Sequence, residues 1–478
     1  MIPEPTAASQ SFHSTSSTQP ASLSERIVSL DVLRGIAVLA ALFVSVWIFG
    51  GFTDNQKNLL LLQSKGWNYR AYGLMELLFD GKMRGLIALV FGASMVLFLT
   101  KEAPPGRQPA ADVFIKRQLL LIILGLLNAI VFLWTHDILF HLGVMGILLF
   151  PLVRFSQKAL LIGFLLLTCV YCAKLYWNHA DDKKAYSRYL SVTALEAKYK
   201  KQDSISKAKG VAVKKDSINA VQKQWKNTWV GRAASMKPDL KKDQGIIQEM
   251  RSGSYGKIWN QLLPQSQARE SQWIYTLGIW DLGAMILLGM LLYKLQFFNN
   301  RLSGKQYLLI AFGCISAGFL LGWFRLYFNQ VALHDYVKYI NKYFLPYTVL
   351  QPFEQAFLVT GYASLLMAFI NSGFLSQVWK GLQAVGKLSL TNYIMQTLAC
   401  TIFFYGYGMG YFGRLSQFEL YFFVVEVIIV QLAFSILWLR VYNYGPLEWL
   451  LRRLSYGKWM NRRLTKPTMV DANIPLLS

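Results

Sequence analysis

Charge is scarce in this chain. Charged residues fill 15% of its 478 positions, against roughly a quarter in soluble globular proteins, and the shortfall excludes an ordinary water-soluble domain. Acidic residues are the scarcer kind, with 25 Asp and Glu against 49 Lys and Arg. Cysteine is limited to Cys169, Cys172, Cys314 and Cys400, all inside apolar runs. The segment CVYC has redox spacing, but apolar surroundings raise a thiol's pKa and leave it inert, so the four read as packing residues. The first 25 residues have neither a basic start nor an apolar core, which excludes a signal peptide. Their Ser, Thr and Pro content reads as a disordered cytoplasmic tail. No clear internal repeat is present.

The remainder is dominated by apolar side chains, 54% of the total. They collect into ten segments near 32–50, 74–99, 117–134, 138–153, 159–177, 273–293, 307–328, 348–370, 388–410 and 417–441. Several exceed the roughly 20 residues that span a bilayer. The expected fold is all-α: a polytopic membrane protein of about ten transmembrane helices. Five spans lie in residues 26–177 and five in 273–441, on either side of a polar insert, 178–272.

The basic residues set an expected orientation. Lys101, Arg107, Lys116, Arg117, Arg154, Lys158, Lys294 and Arg301 fall on one set of short loops, and positive charge favours the cytoplasmic side. Both termini are then cytoplasmic and the insert faces outward. The insert carries 19 Lys and Arg against 9 Asp and Glu, but long loops translocate largely regardless of charge. Its composition is helical, which fits exposed helices capping the outer face or a mobile insert without function. After the last span, Gly445 and Pro446 open a stretch in which Leu and Trp alternate with Glu448, Arg452 and Arg453. Pro suits the first position of a helix, and the pattern reads as an interfacial helix. The net charge of +24 is accounted for by membrane headgroups, and no basic stripe with stacking aromatics points to nucleic acid.

Few residues in the apolar segments can carry chemistry. Asp31 and Arg34 are three apart and share a helical face. They form either an ion pair at the headgroups or a site where Asp31 orients Arg34 toward an anion. Lys82 and Arg84 follow Glu76 and Asp80 ahead of an apolar run, an arrangement that suits a polar cavity or an ordinary cap. His136, Asp137 and His141 lie where the third span turns into the fourth. A histidine beside a carboxylate suits general base work, and Asp137 capping a helix is the plainer alternative. No third ligand accompanies the histidines, so no metal site is expected. Asn128, Arg325, Glu354, Asn392, Gln396, Glu426 and Gln431 interrupt apolar spans, as functional groups or as helix glue.

The stretch RIVSLDVLRG resembles the signature of the transmembrane acyltransferase superfamily, carried here by Arg26, Ile27, Leu30, Asp31, Arg34 and Gly35. FDGKMRGLIALVFG, HDIL, GKLSLTNYIMQTLACTIFFYGYGMGYFG and QLAFSILWLRVYNYGPLEWLLRRLSYGK resemble the YeiB-type family of bacterial inner-membrane proteins, domain-of-unknown-function family 418. That resemblance implies a multi-pass inner-membrane protein. Through the wider superfamily it implies transfer of an acyl group from cytoplasmic acyl-coenzyme A to an envelope glycan or lipid, with no bound cofactor. Arg34, Arg440 and the tail arginines would then attract the donor's phosphates. One superfamily branch has a histidine where Ser45 stands, and the loop after the first span also lacks one, so His136 with Asp137 is the expected base, and Ser45 is either a further catalytic candidate or a packing residue. Lys82, Arg84, Asn392, Gln396 and Glu448 complete the candidate binding residues. Transport of a small solute or ion is the rival reading.

Overall fold

The computed structural model describes residues 28–100, 109–208, 217–299 and 301–456. The expected tail, Arg26, Ile27 and residues 457–478 lie outside them. The described residues are helical, with no β-strand among them, as the apolar segments require. Among the described residues, eight helices are long and apolar enough to cross a membrane. The expected fourth and ninth spans are shorter, Leu139–Arg154 and Ser389–Phe404.

Helix α1 (Val28–Phe49) is apolar apart from its first turn, where Asp31 sits at the positive end of the helix dipole. A capped short helix, α2 (Asp54–Gln63), leads to α3 (Gly66–Leu78). The chain breaks at Phe79–Gly81, where Gly81 takes a positive φ of 73°, and resumes as α4 (Lys82–Leu99). Helices α5 (Ala110–Ile130) and α6 (Leu139–Leu149) follow. Helix α7 (Gln157–Ala208) has 52 residues. At 1.5 Å per residue it is about 78 Å long, more than twice a bilayer's apolar core of roughly 30 Å. Its far half therefore projects beyond the bundle and defines the insert face.

There α8 (Ala220–Ser235) folds back on α7. Arg232 pairs with Asp181 at 2.7 Å and Asp182 at 2.6 Å, and Trp229 packs against Tyr186. Helix α9 (Leu240–Ser252) lies over the bundle. Its Asp243 accepts from Thr53 at 2.5 Å and from Asn55 at 2.9 Å, and Arg251 donates to the carbonyls of Phe412 and Gly413. The insert is thus helical and caps one face. It ends sooner than residue 272, because α10 (Tyr255–Ala268) already enters the bundle: Ser266 donates to the Ala129 carbonyl at 3.2 Å. The same helix continues through a wide π-helical segment, Arg269–Gly278, into α11 (Ile279–Lys294).

The remaining helices are α12 (Gly304–His334), α13 (Tyr336–Lys342), α14 (Gln351–Asn371), α15 (Ser376–Lys387), α16 (Ser389–Phe404), α17 (Gln417–Leu439) and α18 (Pro446–Tyr456). Helix α11 is the core, buried from Asp281 to Leu292. Small residues let it touch α4 backbone to backbone: a Cβ on Gly92 would strike the Ile286 carbonyl, and one on Gly289 the Leu89 carbonyl. Leu309, Phe312, Leu320, Phe422, Ile429 and Val430 on α12 and α17 are exposed, the apolar belt expected against lipid.

Candidate functional site

Most buried polar residues form joints between helices. Buried atoms without a hydrogen-bond partner include single amide atoms such as Asn128 Oδ1 and Asn392 Oδ1, and they include charged groups at Arg269, Glu270 and Asp281. At the terminal face, opposite the insert, Arg34 donates to Asp31 at 3.0 Å and to Ser94 Oγ at 2.8 Å, so the signature pair forms and ties α1 to α4. Asn392 donates to Ser435 at 2.9 Å, and Gln396 donates to Gln431 at 3.0 Å and to the Val38 carbonyl at 3.2 Å. These two expected binding residues instead join α16 to α17 and α1. Glu448 accepts from the backbone N–H groups of Leu390 and Thr391 and from the Thr391 hydroxyl. It caps α16 rather than facing a cavity, and burial pushes its carboxyl above the ordinary range. Arg440 is exposed just beyond α17. Glu426 is not buried, as the sequence suggested, but exposed on α17.

The break between α3 and α4 is closed by four buried charges. Arg325 donates to Glu76 at 2.7 Å and to Glu354 at 2.7 and 3.2 Å, and Lys82 meets Glu354 at 2.7 Å and the Glu76 carbonyl oxygen at 2.9 Å. Two cations face two anions, so the set is neutral and each charge has a partner. The expectation that Lys82 binds substrate is corrected here. Its ammonium is 3% exposed and held inside this cluster.

The expected partnership of His136 with Asp137 does not form. Asp137 turns its carboxylate to Asn128 Nδ2 at 2.8 Å, the Phe140 N–H at 2.9 Å and the Tyr393 hydroxyl at 3.2 Å. It caps the start of α6 and joins three elements, the plainer of the two sequence readings. His136 meets only the Thr135 hydroxyl, at 3.0 Å. Its side chain is exposed while Thr135 and Asp137 beside it are buried. Ser45 makes no hydrogen bond to either histidine.

His141 has the carboxylate neighbour that His136 lacks. Its Nδ1 lies 3.0 Å from the Asp137 carbonyl oxygen, an acceptor that fixes the proton on that nitrogen. Its Nε2 then faces two further acceptors, the Arg269 carbonyl at 3.3 Å and Glu270 Oε2 at 3.5 Å. The Glu270 approach is an ion-pair distance and not a hydrogen bond, so neither carboxylate oxygen has a donor. Trp273 stands edge-on to the His141 ring at 5.0 Å and carries the Arg269 guanidinium on its face at 3.5 Å. Arg84 reaches the same indole at 5.5 Å while pairing with Asp281 at 2.8 Å. The wide π segment that presents Arg269, Glu270 and Trp273 is a form often found at functional sites. Several atoms here are buried without a hydrogen-bond partner: Arg269 Nε, both Glu270 carboxylate oxygens and Asp281 Oδ1. Among the described residues, no three His, Cys, Asp or Glu gather as metal ligands would.

Sequence reasoning found Arg84, His136 and His141 but missed Arg269, Glu270, Trp273 and Asp281. The polar run Arg-Glu-Ser-Gln reads as solvated loop. The available signal was Ile258 and Leu262, four apart and both buried, which mark a helix already packing before residue 272.

Residues 292–458 match the family described as Protein of unknown function (DUF418). The chain is similar to the uncharacterized protein YeiB of Escherichia coli (strain K12), 26% identical over 442 residues, covering 90% of this chain and 96% of that protein. It is 24% identical over 450 residues to the uncharacterized protein YxaH of Bacillus subtilis (strain 168), covering 93% of this chain and 98% of that one. A third relative, an uncharacterized 39.9 kDa protein in the amylase 3' region of Bacillus acidopullulyticus, is 30% identical over 97 residues, 20% of this chain and 28% of its own length. No solved structure matches the chain.

Proposed function

We propose that this chain, which matches the DUF418 family over residues 292–458 and is similar to YeiB along most of its length, transfers acyl groups from a coenzyme A thioester to an acceptor on the insert side of the membrane. The observation that carries this reading is the His141–Glu270 contact at 3.5 Å. An acid–base pair lies in the cluster that also holds Arg269 and Arg84. In this reading the termini are cytoplasmic, the membrane is the bacterial inner membrane, and the acceptor is an envelope glycan or lipid.

Each group has a task. Arg34 and the exposed Arg440 draw the donor's phosphates to the terminal face. Glu270 takes the proton of the acceptor hydroxyl and becomes neutral. The negative charge passes to the attacking oxygen and then to the leaving thiolate, and Glu270 returns the proton there while His141 holds the carboxyl in place. The hydroxyl oxygen attacks the thioester carbonyl carbon. The C–S bond breaks, and the thiolate leaves and takes up a proton. The products are an ester and free coenzyme A, so atoms and charge balance. Asp281 holds Arg84 in place. Asp137 holds the turn that aims His136 and His141.

The experiment is acyl transfer by purified protein in proteoliposomes, with labelled acyl-coenzyme A on the terminal side. Label should appear in acceptor on the insert side, and no label in any acceptor overturns the proposal. Transport is favoured by one feature, the charged break between α3 and α4, since broken helices often frame transporter sites. Movement of an unmodified solute across the same proteoliposomes would support that reading instead.

A further inference from the structure

We infer that the insert-face site binds a phosphate ester bearing a free hydroxyl group, with Arg269 holding the phosphate and Glu270 the hydroxyl. This rests on the acyl-transfer reading and names its acceptor.

Arg269 and Glu270 are neighbours with opposite needs. The Arg269 guanidinium is a fork of donors. Its Nε is buried without an acceptor, and the guanidinium lies on the face of Trp273 at 3.5 Å. Both Glu270 oxygens are buried without a hydrogen-bond donor, and His141 Nε2 stands off at 3.5 Å. The two side chains do not pair with each other, although they are adjacent in sequence. Arg84 adds a second cation on the same indole and pairs directly with Asp281.

A ligand must therefore bring an oxyanion to Arg269 and a donor to Glu270 at once. A bare anion leaves Glu270 unsatisfied and is repelled by it. A neutral polyol leaves Arg269 unsatisfied. A phosphate ester with a hydroxyl a few bonds away satisfies both: guanidinium matches phosphate by parallel hydrogen bonds, and the carboxylate accepts from the O–H. The indole of Trp273 supplies an apolar wall for the intervening carbons. The hydroxyl then lies against Glu270, where its proton leaves. Such a group occurs in a lipid with a glycerol phosphate headgroup and in a soluble phosphorylated polyol.

The test measures binding without any acyl donor. Full-length protein is placed in phosphatidylcholine nanodiscs and titrated with labelled glycerol 3-phosphate. Wild type should bind it, and more tightly than inorganic phosphate. Arg269→Gln should weaken binding by about tenfold or more, the worth of one hydrogen bond to a charged group, and Arg269→Lys should recover part of it. Glu270→Gln should reduce the preference over inorganic phosphate. Phosphatidylglycerol in the nanodisc that competes with the label supports the inference with a lipid source. Failure to compete, with the label still bound, supports it with a soluble source. No binding by wild type, no preference over inorganic phosphate, or wild-type affinity in Arg269→Gln would each overturn it. Binding without acyl transfer would overturn the proposed function and leave this inference standing; transfer without binding would do the reverse.

Discussion

Two charged clusters in one bundle have opposite characters. In the first, Glu76, Lys82, Arg325 and Glu354 are buried, and each charge meets its opposite at 2.7 Å. In the second, Arg269, Glu270 and Asp281 carry buried atoms with no hydrogen-bond partner, and His136 beside them is exposed. Both sit in apolar surroundings, where an unmet polar group is costly. A closed cluster meets that cost internally and so holds helices together. An open one meets it only with a ligand. In a membrane bundle, charge in a span therefore does not by itself mark function, whereas unmet charge does.

Breaking the closed cluster should have the largest effect. Arg325→Met leaves Glu76 and Glu354 facing Lys82 alone. Removing one partner of a buried pair costs about 3–5 kcal/mol, so folded protein should be lost from membranes, as read by yield and by melting of any purified material. Wild-type yield would mean that water reaches the cluster and that it is not closed.

Glu270→Gln should act on the open cluster in the other sense. Loss of a positioned base lowers rate by about 10²–10⁴-fold, so acyl transfer in proteoliposomes should fall within that range while yield stays normal. His136→Ala should cost less, since Asp137 turns to Asn128, Tyr393 and the Phe140 N–H. A larger loss in His136→Ala than in Glu270→Gln would return the base to His136.

A cap should matter less than either cluster. Glu448→Gln weakens the N-terminal cap of α16, worth about 1 kcal/mol, and lowers the melting temperature slightly. It also changes a pH response. Burial raises the folded carboxyl above its ordinary value of 4.5, so the protonated form is favoured by folding. That contribution is whole below about 4.5 and is lost as pH rises through the folded value. Melting of Glu448→Gln should depend less on pH in that window than melting of wild type. Ser45→Ala should have the smallest effect, leaving transfer within about twofold, because no hydrogen bond ties Ser45 to the histidines. A hundredfold loss would put the chemistry on α1.

Much of this comparison was legible in the sequence, and the limits have physical causes. Apolar run length found the spans, although α6 and α16 are shorter than a bilayer crossing. Spacing found the Asp31–Arg34 pair, because residues three apart on a helix must be neighbours. The partners of Lys82, Arg325 and Glu354 could not be read, since Arg325 and Glu76 lie 249 residues apart and Lys82 and Glu354 farther still. Arg269 and Glu270 were hidden for a different reason. Hydropathy averages over a window, and a polar turn within a long helix looks like the loop before it.

The central claim is that the closed cluster is structural and the open one functional. Thermal melting of Glu354→Gln and Glu270→Gln, purified in the same nanodiscs without ligand, tests it most directly. The account predicts a clear loss in Glu354→Gln, which leaves Lys82 without its carboxylate and Arg325 with Glu76 alone, and no loss or a small gain in Glu270→Gln, which removes an unmet buried charge. Equal destabilisation of the two variants would contradict it.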